Sequence, residues 1–593
     1  MITPVEELRD AVLAATNELT GEGQQAAGAG AAITLERPPK PELGDYATNA
    51  ALLLAPALGV PPREVAERLG AAVHRRLGER LRRYEIAGPG FLNLFLEDSW
   101  LLDALGGVIA SGGAFGSHGA PRPERILIEF VSANPTGPMH VGHARNAAYG
   151  DALARVLECY GERVEREFYV NDAGSQVRAL GASIRALARG EEVPEDGYRG
   201  DYVAELAREL PNAASAEPRE LGHAAVEMMI ARMQSSLRSF AVRGFDHWQY
   251  ERALHAGDPS PVEHVLQMLE RGGHTYRSEG ALWLRSSDYG DDKDRVLVRS
   301  SGEHTYFASD IAYHQAKRER GFQRQIDVWG ADHHGYLARM RAAYAALGGD
   351  PEHLEMLTMQ LVHLVRGGER AQMSKRAGEF VTLEDLVAEI GVDAARWYLL
   401  SRSHDTAIDL DLDLARAQSR ENPVYYVQYA HARIVSVLAR AGRERVAAAV
   451  GEVSVAGVVG GDVGVGSEAS GDAMGVSGEA GGDRRERDRP DRETGDLRGA
   501  GAYELQPSER ALIKRLLAFP GEIAEAAGRR APHRIAAYVL ALAQDFTAFY
   551  EHCRVLDAEP ASAESLRLAL CVATRDTIAR CLDLLGVSAP TEM

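Results

Sequence analysis

Cysteine is scarce here, and its placement excludes two kinds of site. The four cysteines, Cys159, Cys553, Cys571 and Cys581, are scattered and form no CxxC pair, so neither a disulfide framework nor a thiolate zinc site is supported. Long hydrophobic runs are missing as well. The longest apolar stretch, around "ALLLAPALGV", is short and broken by proline, far from the roughly 20 residues a bilayer span needs. The N-terminal "MITPVEELRDAVLAATNEL" carries acids and lacks a basic n-region and an apolar h-region, which argues against a signal or transit peptide. An excess of positive charge is absent too. The net charge of −20 excludes indiscriminate coating of nucleic acid, although a local basic face remains compatible with it. These absences lead to the expectation of a cytoplasmic protein in a reducing setting.

What is present points to several domains, because 593 residues exceed what one core supports, and about three to five units are expected. Residues 1–110 mix amphipathic helical stretches such as "PREVAERLGAAVHRRL" with the strand-like "FLNLFL", which predicts a separate α+β unit ended by the "SGGAFGSHG" linker. From residue 125 a short apolar strand, "RILIEFV", is followed by a helix over 140–159 and a second strand, "VEREFYV". Val141, Ala144, Ala148, Ala152 and Val156 recur at three- or four-residue steps, the period of one buried helical face. Strand, helix, strand at this length predicts a βαβ unit and a parallel sheet. The rhythm returns with "HTYFAS" as a strand, a helix over 310–320, "QIDVWG" as a strand, a helix over 335–347 and "TMQLVHLV" as a strand.

The fold class expected is therefore multidomain α/β. A doubly wound, Rossmann-like parallel-sheet domain spans 120–380, interrupted by an insertion over about 180–300. After 380 no strands are expected. "VTLEDLVAEIG" opens with a capping box, Thr382 and Asp385, and helical patterns continue to the end, predicting an all-α bundle over 381–593. Residues 441–503, rich in Gly, Val, Ala and Ser and then mixed in charge, lack the apolar surface to offset chain entropy and are expected to form a disordered insertion.

The chemistry concentrates at a strand-to-helix junction, "NPTGPMHVGHARNA". A helix N-terminus at the carboxyl end of a parallel strand offers free N–H groups and partial positive charge, and so attracts phosphate. His140 and His143 lie on one face of the first turn, and Gly142 between them lacks a Cβ, which lets a flat ring or phosphate approach. Such donors suit a phosphoryl centre under nucleophilic attack. Two other readings stay open on this motif alone: structural capping, and metal binding, although metal helices more often space their ligands i, i+4 with a carboxylate partner. A second feature favours phosphate. "QMSKRAGEFVTL" places Ser374, Lys375 and Arg376 in a polar loop with Gly378 as a hinge, a loop able to clamp a triphosphate.

With the "HVGH" and "QMSKR" sequences in place, the chain resembles the class I aminoacyl-tRNA synthetases, and more narrowly the arginyl-tRNA synthetase family. The narrower resemblance rests on "IEFVSANPTGPMHVGHARNA", "YVNDAGSQV", "GALWLRSSDYGDDKDRVLVRSSGEHTYFASDIAYH", "VWGADHHGY", "MSKRAGEFVTL", "ENPVYYVQYAHAR" and "DFTAFYEHCRVL". It implies activation of L-arginine by ATP, with Mg²⁺, to arginyl-adenylate and transfer to the 3′ end of tRNA(Arg), with tRNA required for activation. A monomer is expected. His140 and His143 would stabilise the α-phosphate, Gly142 would underlie adenine, and Gly330, Ser374, Lys375 and Arg376 would complete the ATP site. Glu129, Asn134, Tyr306, Asp310 and Asp332 would hold arginine. Carboxylates match a planar guanidinium with paired hydrogen bonds. A bland reading competes, in which Glu129 is a paired core carboxylate and Asp310 a helix cap.

The resemblance also makes the N-terminal unit a grip on the outer corner of tRNA and the helical third an anticodon-binding domain. There Tyr425, Tyr429 and Tyr550 would stack on loop bases, although aromatics at helical spacing more often serve a core. The loop departs from the family pattern at Gln372, where the signature has its first lysine. Another nucleotidyltransferase with an HxGH site, cytidylyltransferase-like or pantothenate synthetase-like, would be a much shorter chain. A non-catalytic tRNA-binding relative would be expected to lack His140, His143 or Lys375.

Overall fold

The computed structural model describes residues 3–20, 33–330, 335–370, 381–458 and 503–593. In the N-terminal unit, helices α1 (Pro4–Thr20), α2 (Ala50–Leu58) and α3 (Pro62–Leu77) cover a four-stranded antiparallel sheet. Its strands are β1 (Leu35–Glu36), β2 (Tyr46–Thr48), β3 (Leu81–Ala87) and β4 (Phe91–Leu96), in the order β1-β2-β4-β3. The "FLNLFL" segment is β4, and Leu92, Leu94 and Leu96 enter the core. Helix α4 (Asp98–Ser111) follows.

The central sheet is parallel throughout. Strands β5 (Arg125–Glu129), β6 (Arg163–Val170), β7 (His247–Tyr250), β11 (Arg324–Gly330) and β12 (Leu354–Met359) lie in the order β12-β11-β5-β6-β7. Helix α5 (Val141–Tyr160) joins β5 to β6. The five apolar positions read as its buried face are buried, and so are Arg145, Asn146, Asp151 and Arg155 on other faces. The reason is that α5 is sandwiched between the sheet and the C-terminal helices.

Helices α6 (Ser175–Arg189), α7 (Asp201–Glu209) and α8 (Pro218–Ser239) share a core of their own around Leu180, Ile184, Val203, Leu206 and Met229. The chain then returns to the parent sheet as β7, a strand inside the span read as an insertion. Helix α9 (Pro261–Arg271) and an antiparallel meander of β8 (Thr275–Ser278), β9 (Ala281–Leu284) and β10 (Arg295–Val298) come next.

"HTYFAS" is not a strand. Thr305 accepts the Ala308 N–H and caps helix α10 (Tyr306–Glu319), so the helix begins inside the segment. "TMQLVHLV" is two strands rather than one. Helix α11 (Leu337–Ala346) leads into β12, the chain breaks at Gln360, and β13 (Val362–Arg366) enters a second sheet with β14 (Glu369–Arg370) and β15 (Ile408–Asp411). Arg145 makes the break: its guanidinium donates to the carbonyl oxygens of Gln360 (2.6 Å), Ser403 (2.9 Å) and Thr406 (2.8 Å).

Strands do not end at 380, since β15 pairs in parallel with β13, burying Ile408 and Leu410 of "IDLD". Helices α12 (Leu383–Ile390), α13 (Val392–Leu399), α14 (Pro423–Ala441) and α15 (Arg443–Val458) build the helical third, with α16 (Pro507–Leu517), α17 (Phe519–Gly528), α18 (His533–His552) and α19 (Ala561–Leu585). The expected disordered stretch is corrected at its start. Residues 443–458 form α15, which packs on α4 and α19 and buries Ala449 and Val453; residues 459–502 of that stretch lie outside the described residues. Among the described residues no helix is long and apolar enough to cross a membrane.

Candidate active site

From β5 the chain moves outward to β6 and β7, whereas from β11 it moves the opposite way to β12. The carboxyl ends of β5 and β11 therefore flank the crevice at which strand order reverses, where open parallel sheets bind ligands. His140 and the first turn of α5 stand at that crevice.

His140 is the N-cap of α5. Its Nδ1 accepts the Gly142 N–H at 3.1 Å, and His143 Nδ1 accepts the His140 N–H at 3.3 Å, a reciprocal box made of two histidines. Because a backbone N–H only donates, both rings carry their proton on Nε2 when neutral. They stack with centroids 3.8 Å apart. Burial, and then His140 beside it, drop His143 to about 3, so it is a neutral donor at physiological pH. A Cβ on Gly142 would sit 2.9 Å from His140 Cε1 and 3.1 Å from its Nδ1. The ring that needs this glycine is His140's own.

The loop that follows "QMSKR" returns to the same place. Thr382 bridges His140 in antiparallel fashion, Val141 N–H donates to the Val381 oxygen (3.3 Å) and Leu383 N–H to the Met139 oxygen (2.9 Å). The capping box at Thr382 and Asp385 is formed.

Beneath the histidines, β5 ends in an unusual turn. Val131 (φ 68°) and Ser132 (φ 40°) both adopt the left-handed region, a cost of about 1–3 kcal/mol each for non-glycine residues. The turn brings Ser132 Oγ to donate to Glu129 Oε1 at 2.8 Å while it accepts the Tyr169 N–H at 3.1 Å. Lys317 Nζ donates to Glu129 Oε2 (2.6 Å) and Asp327 Oδ1 (2.7 Å), and His314 Nε2 meets Asp327 Oδ2 at 2.6 Å. Burial pushes Glu129 up, whereas Lys317 and His314 together hold Asp327 well below the usual carboxylate range despite its burial.

A group of acids gathers past the ends of β6 and β7. Burial, then Asp310, then Asp172, raise Glu251 to about 7. The Asn171 amide, oriented to satisfy both of its atoms, donates to Glu251 Oε2 at 2.8 Å. The Tyr336 hydroxyl donates to Asp310 Oδ2. Tyr169 sits among them, its hydroxyl driven upward by burial and by Glu251, Asp310, Glu129 and Asp172. Carboxylates and phenol oxygens this close together suit a ligand that is cationic and rich in N–H donors.

Far from this crevice, α14 and α18 enclose a groove of about 250 Å³ lined by Tyr425, Tyr429, Tyr550 and Arg433 among others. The Tyr425 and Tyr429 rings stack at 6.4 Å, and the Arg433 guanidinium lies 4.5 Å over Tyr550. Phe546 and Phe549 are core.

Three family models match this chain: the arginyl tRNA synthetase N-terminal domain over residues 6–96, the class I (R) tRNA synthetase catalytic domain over 108–195 and 258–419, and the DALR anticodon binding domain over 485–593. An arginine–tRNA ligase of Shouchella clausii is 40% identical, the match covering 99% of this chain and 98% of that one. That of Frankia alni is 42% identical over 100% of each. The chain belongs to the arginyl-tRNA synthetase family. The Thermus thermophilus arginyl-tRNA synthetase structure, 24% identical, superposes with a TM-score of 0.72 over 99% of each chain, a likeness of fold.

Within this family member the expected site residues divide into three groups. Glu129, Asn134, His140, Gly142, His143 and Gly330 come together at the β5–β11 crevice, with Asn134 and Gly330 exposed. Glu129 is also the paired core carboxylate of the bland reading. Tyr306 and Asp310 share α10, but Tyr306 is 71% exposed and the hydroxyl on Asp310 is that of Tyr336. Asp310 is not a helix cap, because Thr305 holds that position. Asp332, Gln372, Ser374, Lys375, Arg376 and Gly378 lie outside the described residues.

Several contributors escaped the sequence reading: Ser132, Asn146, Tyr169, Glu251, Lys317, Asp327 and Tyr336. Only Lys317 left a signal, a cation three and four residues after His314 and Tyr313 and so on the same helical face. Tyr202 escaped as well; its hydroxyl reaches from the inserted helices to the Thr136 oxygen at 2.9 Å, clasping the loop that carries Asn134.

Proposed function

We propose that this chain is an arginine–tRNA ligase whose β5–β11 crevice activates L-arginine with ATP and then charges tRNA(Arg). An arginine carboxylate oxygen attacks the α-phosphorus, the bond to the bridging oxygen breaks, and pyrophosphate leaves. The 3′-terminal adenosine hydroxyl of tRNA then attacks the adenylate carbonyl and AMP leaves. The observation that carries this reading is the pair of stacked histidines, both protonated on Nε2, at the reversal of strand order. Held by the backbone, they donate to the α-phosphate oxygens without reorganising as charge builds there.

Asn134 and Glu129 receive the amino-acid end of arginine, and Asp310, Glu251 and Tyr169 receive its guanidinium. A lysine side chain would leave such acceptors underused, and sites of this kind discriminate by roughly 10⁴ or more. Asp332 joins the residues that hold arginine, and Gly330 borders the adenosine. Lys375, with Ser374 and Arg376, clamps the pyrophosphate portion. It lies six residues before Val381, whose oxygen binds Val141 N–H, so the chain can carry it no farther than about 20 Å from that point. Mg²⁺ enters as part of the ATP substrate. Bound tRNA is required for activation, and the α14–α18 tyrosines stack on its loop bases. The protein acts as a monomer in the cytoplasm.

Pyrophosphate exchange into ATP, assayed with each of the twenty amino acids with and without tRNA, tests this reading. Exchange is expected only with arginine and only when tRNA is present; preference for another amino acid overturns the specificity. Lys375→Ala is expected to lower the exchange rate at least ~100-fold, the scale for one preorganised electrostatic group. Near-normal turnover would remove the loop from the mechanism.

A further inference from the structure

Where β5 and β11 part, their hydrogen-bond ladder stops. The last paired residues are Asp327 and Glu129. Beyond them β11 continues to pair with β12, Val328 opposite Leu357, while Phe130 N–H reaches across to the Glu167 oxygen at 3.3 Å. On the facing edges this leaves the Val131 N–H and the Val328 oxygen, both buried, and buried backbone groups require partners. One side chain supplies both. Asn146, on α5 one turn past His143, accepts the Val131 N–H on Oδ1 at 2.7 Å and donates from Nδ2 to the Val328 oxygen at 2.8 Å. The opposite polarity of its partners fixes which amide atom is which.

We infer that Asn146 is a positioning residue for arginine: its amide replaces the missing rung of the sheet, holding the ends of β5 and β11 at a fixed separation and fastening the left-handed turn at Val131 and Ser132. That turn delivers Ser132 Oγ to Glu129 and leads directly into Asn134. Without the amide, two buried polar groups lose their partners and the turn loses the contact that opposes its strain. His140 and His143 depend less on it, because their box closes within α5 and against Val381 and Thr382. The inference rests on the assignment of Glu129 and Asn134 to arginine.

The test is steady-state pyrophosphate exchange at saturating tRNA, with KM measured separately for arginine and ATP in Asn146→Ala, Asn146→Asp and Asn134→Ala. Asn146→Ala is expected to raise the arginine KM at least tenfold while the ATP KM stays within about twofold. Asn146→Asp keeps the size and the acceptor but sets a carboxylate against the Val328 oxygen. Its arginine defect relative to wild type at the same pH is expected to shrink from pH 8 to pH 6, as protonation restores a donor. Equal rises in both KM values, or no rise in either, overturn the inference. If Asn146→Ala does not fold, the pH response of Asn146→Asp decides, and a flat response overturns it. If Asn134→Ala leaves the arginine KM unchanged, it is the arginine assignment that fails; if Asn134→Ala raises it and the Asn146 variants do not, it is the positioning role.

Discussion

Glu251 is buried with Asp172 and Asp310 acting on it, and its carboxyl titrates near 7 as a result, so at physiological pH it is protonated for part of the time before arginine arrives. The sign follows directly. Below about 7 the group is neutral and offers the guanidinium one negative charge fewer; above 7 the charge is present. We expect kcat/KM for arginine to fall from pH 8 to pH 6, approaching tenfold per unit at the acid end, with kcat at saturation less affected because the bound cation holds the carboxylate ionised. Glu251→Gln should flatten the profile. A wild-type profile that is flat across this window would separate Glu251 from arginine. His143 adds nothing to this limb, because it stays neutral down to about 3. At this scale the sequence was legible in setting His140 and His143 together on the first turn of α5, whereas the space left by Gly142 lies against the ring of His140. The sequence was opaque at Glu251 and Asn146, whose meaning depends on strands distant in the chain.

Helix α10 shows how one element serves several sites. Tyr313, His314 and Lys317 face the sheet, where Tyr313 donates to Glu167 Oε1 at 2.6 Å and Lys317 joins Glu129 to Asp327. Lys317→Met should cost about 3–5 kcal/mol, the usual price of leaving buried carboxylates without their cation. Urea unfolding measures this, and a loss below ~1 kcal/mol would mean that the carboxylates take up protons at little cost. The start of α10 was misread because "HTYFAS" holds a β-branched residue and two aromatics, types enriched in strands, while one hydroxyl, that of Thr305, decides for a helix. The turn after β5 was invisible for the opposite reason. Sequence reading looks for glycine at positive φ, and here valine and serine occupy that region under tertiary restraint.

At the scale of the whole molecule, the N-terminal unit is tied to the helical third through Asp45, which accepts from Lys514 Nζ and Arg510 Nη2, both at 2.8 Å. Regions that would grip separate parts of one tRNA are thus set at a fixed angle. Tyr429→Ala should raise the KM for tRNA by roughly 5- to 150-fold, corresponding to about 1–3 kcal/mol of base stacking. The arginine KM at saturating tRNA should not change; an unchanged tRNA KM would make the tyrosine groove purely structural. The succession of an α+β unit, a doubly wound sheet and a helical third was legible from periodicity. The second sheet was not, because β13, β14 and β15 are short and depend on Arg145 to divide the chain at Gln360.

Asp151, on α5, accepts from Arg155 (2.9 Å) and Arg396 (2.6 Å), and those two guanidinium groups in turn donate to the backbone oxygens of Asp583 and Leu585, each at 2.8 Å. The helix that begins with the histidines is thus completed by residues made more than 400 positions later. During synthesis the sheet can assemble early, while Arg155, already held by Asp151 and the Ala241 oxygen, waits for the Asp583 oxygen, and Arg396 waits for that of Leu585, until the end of α19 has left the ribosome. A prematurely terminated chain would then carry the motif on a helix whose two guanidinium partners at Asp151 each lack one backbone acceptor.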